Sequence, residues 1–341
     1  MKDLLAFKLE KISLYRNELR GIATILILII HGYECRVNFG ILDRIFSKSY
    51  IGVELFLLLS GIGMWYSYKK DSGNGTSQFY KKRIVKLLPA YLPIISIFAI
   101  WKVIVSNGGM IDYLKYITTI SYWEKGIGPW FVALIILLYL VTPIAVRIYR
   151  KCNEILATVI CMTVTLLFIY ACMAIFDNEI SEHVRFAIGR SMPFYIGLLI
   201  GKVLDEHKDK TVNIIYLYVI LILIRYPIMG ITPFTSSAFA LMIMLLIPMI
   251  FMLEVLNCAF MNRVLTSIGM ISLESYLVNC CFIELAKYYG WISAFDGTNK
   301  DTMAYVLICT VGICVSYVIH YAVGMTIKNR IHKRSYTVNK M

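Results

Sequence analysis

The chain has 341 residues, 59% of them hydrophobic and only 16% charged, with mean hydropathy +0.71. Soluble domains carry about 25% charged residues, so this composition excludes a soluble globular protein and fits a polytopic membrane protein. The net charge of +13 is spread over the ends of apolar runs rather than gathered on one polar module, which favours membrane orientation over nucleic-acid binding.

A hydrocarbon core about 30 Å thick needs roughly 20 apolar helical residues. Ten runs answer to this, at 21–38, 50–68, 87–105, 129–146, 155–176, 191–204, 212–229, 236–253, 264–289 and 302–327. The sixth is the shortest. The polar breaks between them are loop-sized. The expected fold is therefore all-α, a single integral-membrane domain over 1–341 with no appended soluble domain. Ten spans put both termini on one side. That side, with the even-numbered loops, holds 23 of the 34 Lys and Arg residues. The positive-inside rule makes it the cytoplasm. The Gly and Pro breaks do not pair between halves as they do in inverted-repeat transporters. The N-terminal charges run into a long apolar stretch without an A-x-A site, so no cleavable signal peptide is expected. The nine cysteines show no CxxC and no Cys/His metal spacing, and most lie in apolar runs. Neither disulfide nor metal is expected.

Along the chain, the first chemistry-bearing pair is Arg20 and His31, in NELRGIATILILIIHGYEC. Ten residues separate them, nearly all apolar. Eleven helical steps come to about three turns, so both share one face, about 16 Å apart along the axis. Two such side chains suggest a lined tunnel. Arg20 alone reads equally well as a snorkelling anchor. A membrane histidine is a functional-site hypothesis, and a neutral imidazole suits taking a proton from a hydroxyl; the alternative is a hydrogen-bonded packing histidine.

The second run, YIGVELFLLLSGIGMWYSYKK, holds Glu54 and Ser60. A carboxylate there needs a partner or a cavity. Glu54 is a candidate to orient an imidazole, as in a triad, or else an interfacial glutamate. Ser60, with Gly61 and Gly63, fits close helix packing. A Gly/Ser-rich piece and a basic segment, DSGNGTSQFYKKRIVK, read as a loop opening the third span, with Pro89 and Pro93 kinking or capping its start. Arg83 and Lys86 are i,i+3 neighbours. Arginine grips phosphate with a planar fork and lysine as a point charge. A phosphate-bearing cytoplasmic ligand and anionic lipid are the two readings. Trp130 opens the fourth span at an interfacial position. Glu274, Tyr276 and Asn279 are the polar positions of the ninth span. Glu274 and Asn279 do not share a face, and interhelical pairing is the expected role of each. His183, His207, His320 and His332 read as loop or interface residues without chemistry.

Together these segments resemble the acyltransferase 3 family, integral-membrane O-acyltransferases of bacterial cell envelopes. Arg20-x10-His31 is similar to the family's first-helix arginine–histidine signature. Gly52 to Gly61, with Phe56 ahead of Ser60-Gly61, is similar to its second-helix signature. Phe79 to Lys86, with Pro89 and Tyr91, is similar to the basic segment before its third helix. Pro129-Trp130-Phe131 and Ser272 to Leu277 are similar to weaker later landmarks. The likeness runs in order over nearly the whole chain, and ten helices is the family's membrane core. Three positions depart from the pattern: Leu57 replaces a second phenylalanine, Lys86 a second arginine, and Asn279 a histidine.

The resemblance implies transfer of an acyl group, most simply acetyl, to a hydroxyl of an envelope glycan or lipid-linked sugar. The donor it implies is acetyl-CoA or another acyl-CoA, used as substrate, with no permanently bound cofactor. His31 and Glu54 are then the catalytic candidates, and Arg20, Arg83 and Lys86 the donor-binding ones. Ser60, Tyr91, Trp130, Glu274 and Asn279 are substrate-binding or structural. His31 either deprotonates the acceptor hydroxyl or accepts the acyl group itself. Membrane lipids are the other expected partners, nucleic acid is not one, and the expected location is the bacterial cytoplasmic membrane, crossed many times. The sequence sets neither the acceptor nor the oligomeric state. A transporter or flippase for a lipid-linked sugar or small metabolite is the rival reading, and an inactive, partner-binding relative a third.

Overall fold

The computed structural model describes residues 6–35, 37, 39–71, 75–228, 236–291 and 299–338. Lys2, the His332 side chain and those of the C-terminal cations from Lys328 onward lie outside the described parts, as do residues 72–74 of the Gly/Ser-rich piece and the last residues, 38 and 229, of the first and seventh expected spans. In chain order the elements are β1 (Ala6–Lys8), α1 (Glu10–Leu14), α2 (Arg16–Glu34), a 3-10 turn (Gly40–Leu42), α3 (Asp43–Phe46), α4 (Ile51–Asp71) and α5 (Gly75–Val105). Then come α6 (Met110–Ile117), α7 (Ile120–Lys125), α8 (Trp130–Lys151), α9 (Glu154–Ile175), α10 (Asn178–Ile188) and α11 (Met192–Glu206). The chain continues through β2 (Thr211–Asn213), α12 (Ile214–Ile228), α13 (Ser236–Leu256), α14 (Ala259–Met270), α15 (Ser272–Tyr288) and α16 (Asn299–Val338).

The protein is helical and multi-pass. Among the described residues seven helical segments are long and apolar enough to cross a membrane, or eight if α14 and α15 form one broken span. The expected first and seventh spans fall outside that count. Helix α2 carries Arg16, Glu18, Arg20 and Glu34 within 19 residues, and α12 has 15 described residues.

Three local differences from the sequence reading have physical causes. The basic segment expected as a loop is helical, because nothing between Gly75 and Leu88 breaks a helix; α5 runs on for 31 residues with Pro89 and Pro93 inside it. At 1.5 Å per residue it reaches about 46 Å, well beyond a hydrocarbon core. The expected ninth span is not continuous, and Ile271 divides it into α14 and α15. Finally, a two-stranded antiparallel ribbon joins β1 to β2, pairing Ala6 with Asn213, Phe7 with Val212 and Lys8 with Thr211.

The chain forms two compact units. The first comprises Met1–Ile27, Lys48–Arg83 and Thr118–Met270. At its centre α4 is apolar on nearly every side, as a helix covered all round must be; Leu55, Leu57, Leu58, Leu59 and Ile62 are at most 1% exposed. Helix α4 packs on α11 backbone to backbone. A Cβ on Gly61 would collide with the Phe194 carbonyl, and one on Gly197 with the Leu58 carbonyl. Small residues allow such approach where lipid offers no hydrophobic drive between helices. Gly21 and Gly269 do the same for α2 and α14, against the carbonyls of Leu265 and Asn17. The second unit comprises Leu28–Ser47, Ile84–Ile117 and Ile271–Met341. There α15 packs along α16, and Cys35, Val37, Ile283, Ala286 and Tyr305 form a small core.

Candidate active site

In the first unit three guanidinium groups converge. Arg16 and Arg20 stand one turn apart on α2, on the same face. Arg83 comes from α5. Its Nη2 donates to Ser67 Oγ at 2.6 Å and its Nη1 to Met64 Sδ at 3.8 Å, with the guanidinium 5.6 Å from the Phe79 ring centre. The charges of Arg83 and Arg20 both reach the Tyr139 phenol. Arg16 is admitted by Gly63, where a Cβ would strike the Arg16 guanidinium. Arg16 precedes the apolar run and lies outside the spanning segments. Burial first, then the charges of Arg20 and Arg83, lowers its pKa from the ordinary arginine value. Among the described residues Arg16 Nε and Arg83 Nε are buried without a hydrogen-bond partner. Stranding a buried donor costs about 1–3 kcal/mol, and gathering like charges costs more. An anion with several acceptor oxygens would relieve both. Lys86, one turn further along α5, is exposed.

A second polar group of this unit corrects the expected partner of Glu54. Its carboxylate accepts from Arg190 Nη1 at 2.7 Å rather than from an imidazole, with the glutamate side chain 0% exposed. The Arg190 guanidinium lies 5.4 Å from the Trp130 ring centre and 5.0 Å from that of Phe186, distances at which a cation is attracted by the ring face. Glu54 Oε2, Arg190 Nε and Ser191 Oγ are buried without partners among the described residues. Ser60 on α4 is half-buried.

In the second unit His31 meets Asn279. The Asn279 amide nitrogen lies 3.1 Å from His31 Nδ1. An amide NH2 can only donate, so with the amide in this orientation Nδ1 is the acceptor, an arrangement that suits the tautomer protonated on Nε2. Asn279 Oδ1 accepts from the Cys309 thiol at 3.6 Å. Asn279 is 1% exposed, and the Tyr276 ring lies 6.2 Å from the imidazole. The Tyr305 hydroxyl donates to the Leu28 carbonyl, and its ring crowds Gly32, next to His31. Glu274 pairs with His320 Nδ1 at 2.8 Å, joining α15 to α16. His320, expected at a loop or interface, thus lies inside α16 and pairs it with α15. Tyr91 is 1% exposed, its hydroxyl buried without a partner among the described residues.

Arg20 and Arg83 are therefore brought together, as are His31 and Asn279; Glu54 and Trp130 meet through Arg190. Sequence reasoning missed Arg16, Arg190 and Cys309. Arg190 had a usable signal: a carboxylate inside an apolar run demands a cation, and Arg190 sits at the mouth of the sixth run. Arg16 had a weaker one, its i,i+4 spacing from Arg20.

No curated protein and no solved structure matches this chain. A family model does: residues 17–321 match the one described as an acyltransferase domain (acyltransferase 3).

Proposed function

We propose, from the premise that the chain belongs to the acyltransferase 3 family, that it moves an acyl group, most simply acetyl, from cytoplasmic acyl-CoA to a hydroxyl of an envelope glycan or lipid-linked sugar. The observation that carries this reading is the convergence of Arg16, Arg20 and Arg83, two of them with stranded buried Nε–H groups, on the helix that also bears His31. Guanidinium forks suit the phosphates of a nucleotide-bearing donor. By helical rise alone, Arg20 and His31 are about 16 Å apart along α2. The His31 imidazole takes the proton of the acceptor hydroxyl or accepts the acyl group. Lys86 adds a point charge on α5. Glu54 serves through Arg190, as a buried support.

The orientation we propose has ten spans, with both termini in the cytoplasm of a bacterial cell whose inner membrane holds the protein. Pairings within the first unit support it. The β1–β2 ribbon, Lys11 with Glu254 at 2.8 Å, Lys69 with Asp205 at 2.7 Å and Lys202 with Glu154 at 3.4 Å each join segments that the charge count assigns to one side.

Purified protein reconstituted in vesicles and given acetyl-CoA labelled in the acetyl group tests the proposal. Release of free CoA with transfer or hydrolysis of the label is the expected result. Movement of a lipid-linked sugar without CoA release is the transporter outcome and would overturn it.

A further inference from the structure

Asn279 is a polar neighbour of His31 that bears directly on its ring nitrogens. Asn279 faces Nδ1 with its amide nitrogen at 3.1 Å, and Cys309 faces the amide oxygen at 3.6 Å. We propose that Asn279, backed by Cys309, is a positioning residue that sets which nitrogen of His31 carries the proton. This rests on the reading of His31 as the reacting group.

The logic is one of donors and acceptors. With the amide as found, Nδ1 must accept, so the proton is on Nε2 and the ring offers its free edge as a hydrogen-bond donor. A general base needs the opposite arrangement, with Nε2 bare and Nδ1–H held by an acceptor. A half-turn of the amide brings Oδ1 against Nδ1, and the ring reaches that arrangement by giving its Nε2 proton to water and taking one from water at Nδ1. Every partner stays satisfied only if the group on the far side of the amide tolerates both orientations. Most side chains do not. A thiol does, because its sulfur donates weakly through S–H and accepts weakly through its lone pairs. As found, Cys309 donates to Oδ1; after the turn its sulfur receives Nδ2–H.

Acyl transfer uses the turned state, and the state as found is the resting one. As the hydroxyl oxygen bonds to the acyl carbon, its proton passes to Nε2. As the carbon–sulfur bond breaks, the departing thiolate takes that proton from Nε2. In between, the imidazolium carries protons on both nitrogens, and only Oδ1 can face Nδ1–H without two donors opposing each other. Asn279 thus stands where an aspartate would lock one state and an aliphatic residue would support neither.

The test reads the ring itself. Protein carrying 15N-labelled histidine is reconstituted in lipid, and the side-chain nitrogens are recorded by NMR; His31 is assigned by its loss in His31→Gln. Wild-type His31 should show bare Nδ1 and protonated Nε2. Asn279→Asp should move the proton to Nδ1. With acetyl-CoA as the donor probe, Cys309→Val should lower CoA release about tenfold or more, within the range of second-sphere substitutions, and Cys309→Ser should restore it to within about threefold of wild type. A wild-type spectrum with Nδ1–H, or one unchanged in Asn279→Asp, would overturn the proposal, as would equal rates in Cys309→Val and Cys309→Ser. The spectra need no turnover. A wild-type protein that releases no CoA would count against the acyltransferase reading, while the tautomer result would still decide this one.

Discussion

Glu54 and Arg190, 136 residues apart in sequence, meet at 2.7 Å with the carboxylate wholly buried. Such a pair adds little net stability over apolar residues of the same shape, but removing one partner strands a charge and costs about 3–5 kcal/mol. Arg190→Met should therefore lower the melting temperature in detergent sharply. The double variant Glu54→Gln/Arg190→Met should recover more than half of the loss. A single variant as stable as wild type would mean that the carboxylate has another partner.

Gly61 sits where α4 touches the α11 backbone at Phe194. Gly61→Val must push the helices apart, and overpacking of this kind costs about 1–3 kcal/mol. Thermal unfolding should show the loss, whereas Gly324→Val, at a position with open space around its Cβ, should change little.

The arginine cluster predicts a binding defect. Arg16→Gln and Arg83→Gln each remove a charged donor, and a hydrogen bond to a charged group contributes about 1.5–3 kcal/mol. The apparent KM for acetyl-CoA should rise about tenfold or more in each, with the melting temperature held. Gly63→Ala should act in the same direction by displacing the Arg16 guanidinium. Donor binding unchanged in all three would assign the cluster to lipid anchoring.

Much of the fold was legible because a membrane helix announces itself by run length alone. The runs at 50–68, 129–146, 155–176 and 236–253 fall on α4, α8, α9 and α13. The errors lie where composition and backbone part company. Gly, Ser, Thr and Gln before Phe79 look like a loop, yet none of them stops the helix that becomes α5. The break at Ile271 has no proline to signal it, and the three-residue strands β1 and β2 are too short and too far apart to pair by inspection. At the candidate site, Arg20, His31 and Arg83 were legible as polar groups out of place. The pairings of His31 with Asn279, of Asn279 with Cys309 and of Glu54 with Arg190 were not, because they cross sequence separations that no local pattern encodes.

The role of His31 is tested most directly by CoA release and label transfer from acetyl-labelled acetyl-CoA, measured side by side in vesicles of wild type and His31→Ala. General acid–base participation contributes about 10²–10⁴-fold. The His31→Ala protein should lose at least about 100-fold in rate while keeping its melting temperature and its affinity for acetyl-CoA. A His31→Ala protein that still acylates at the wild-type rate would contradict the account.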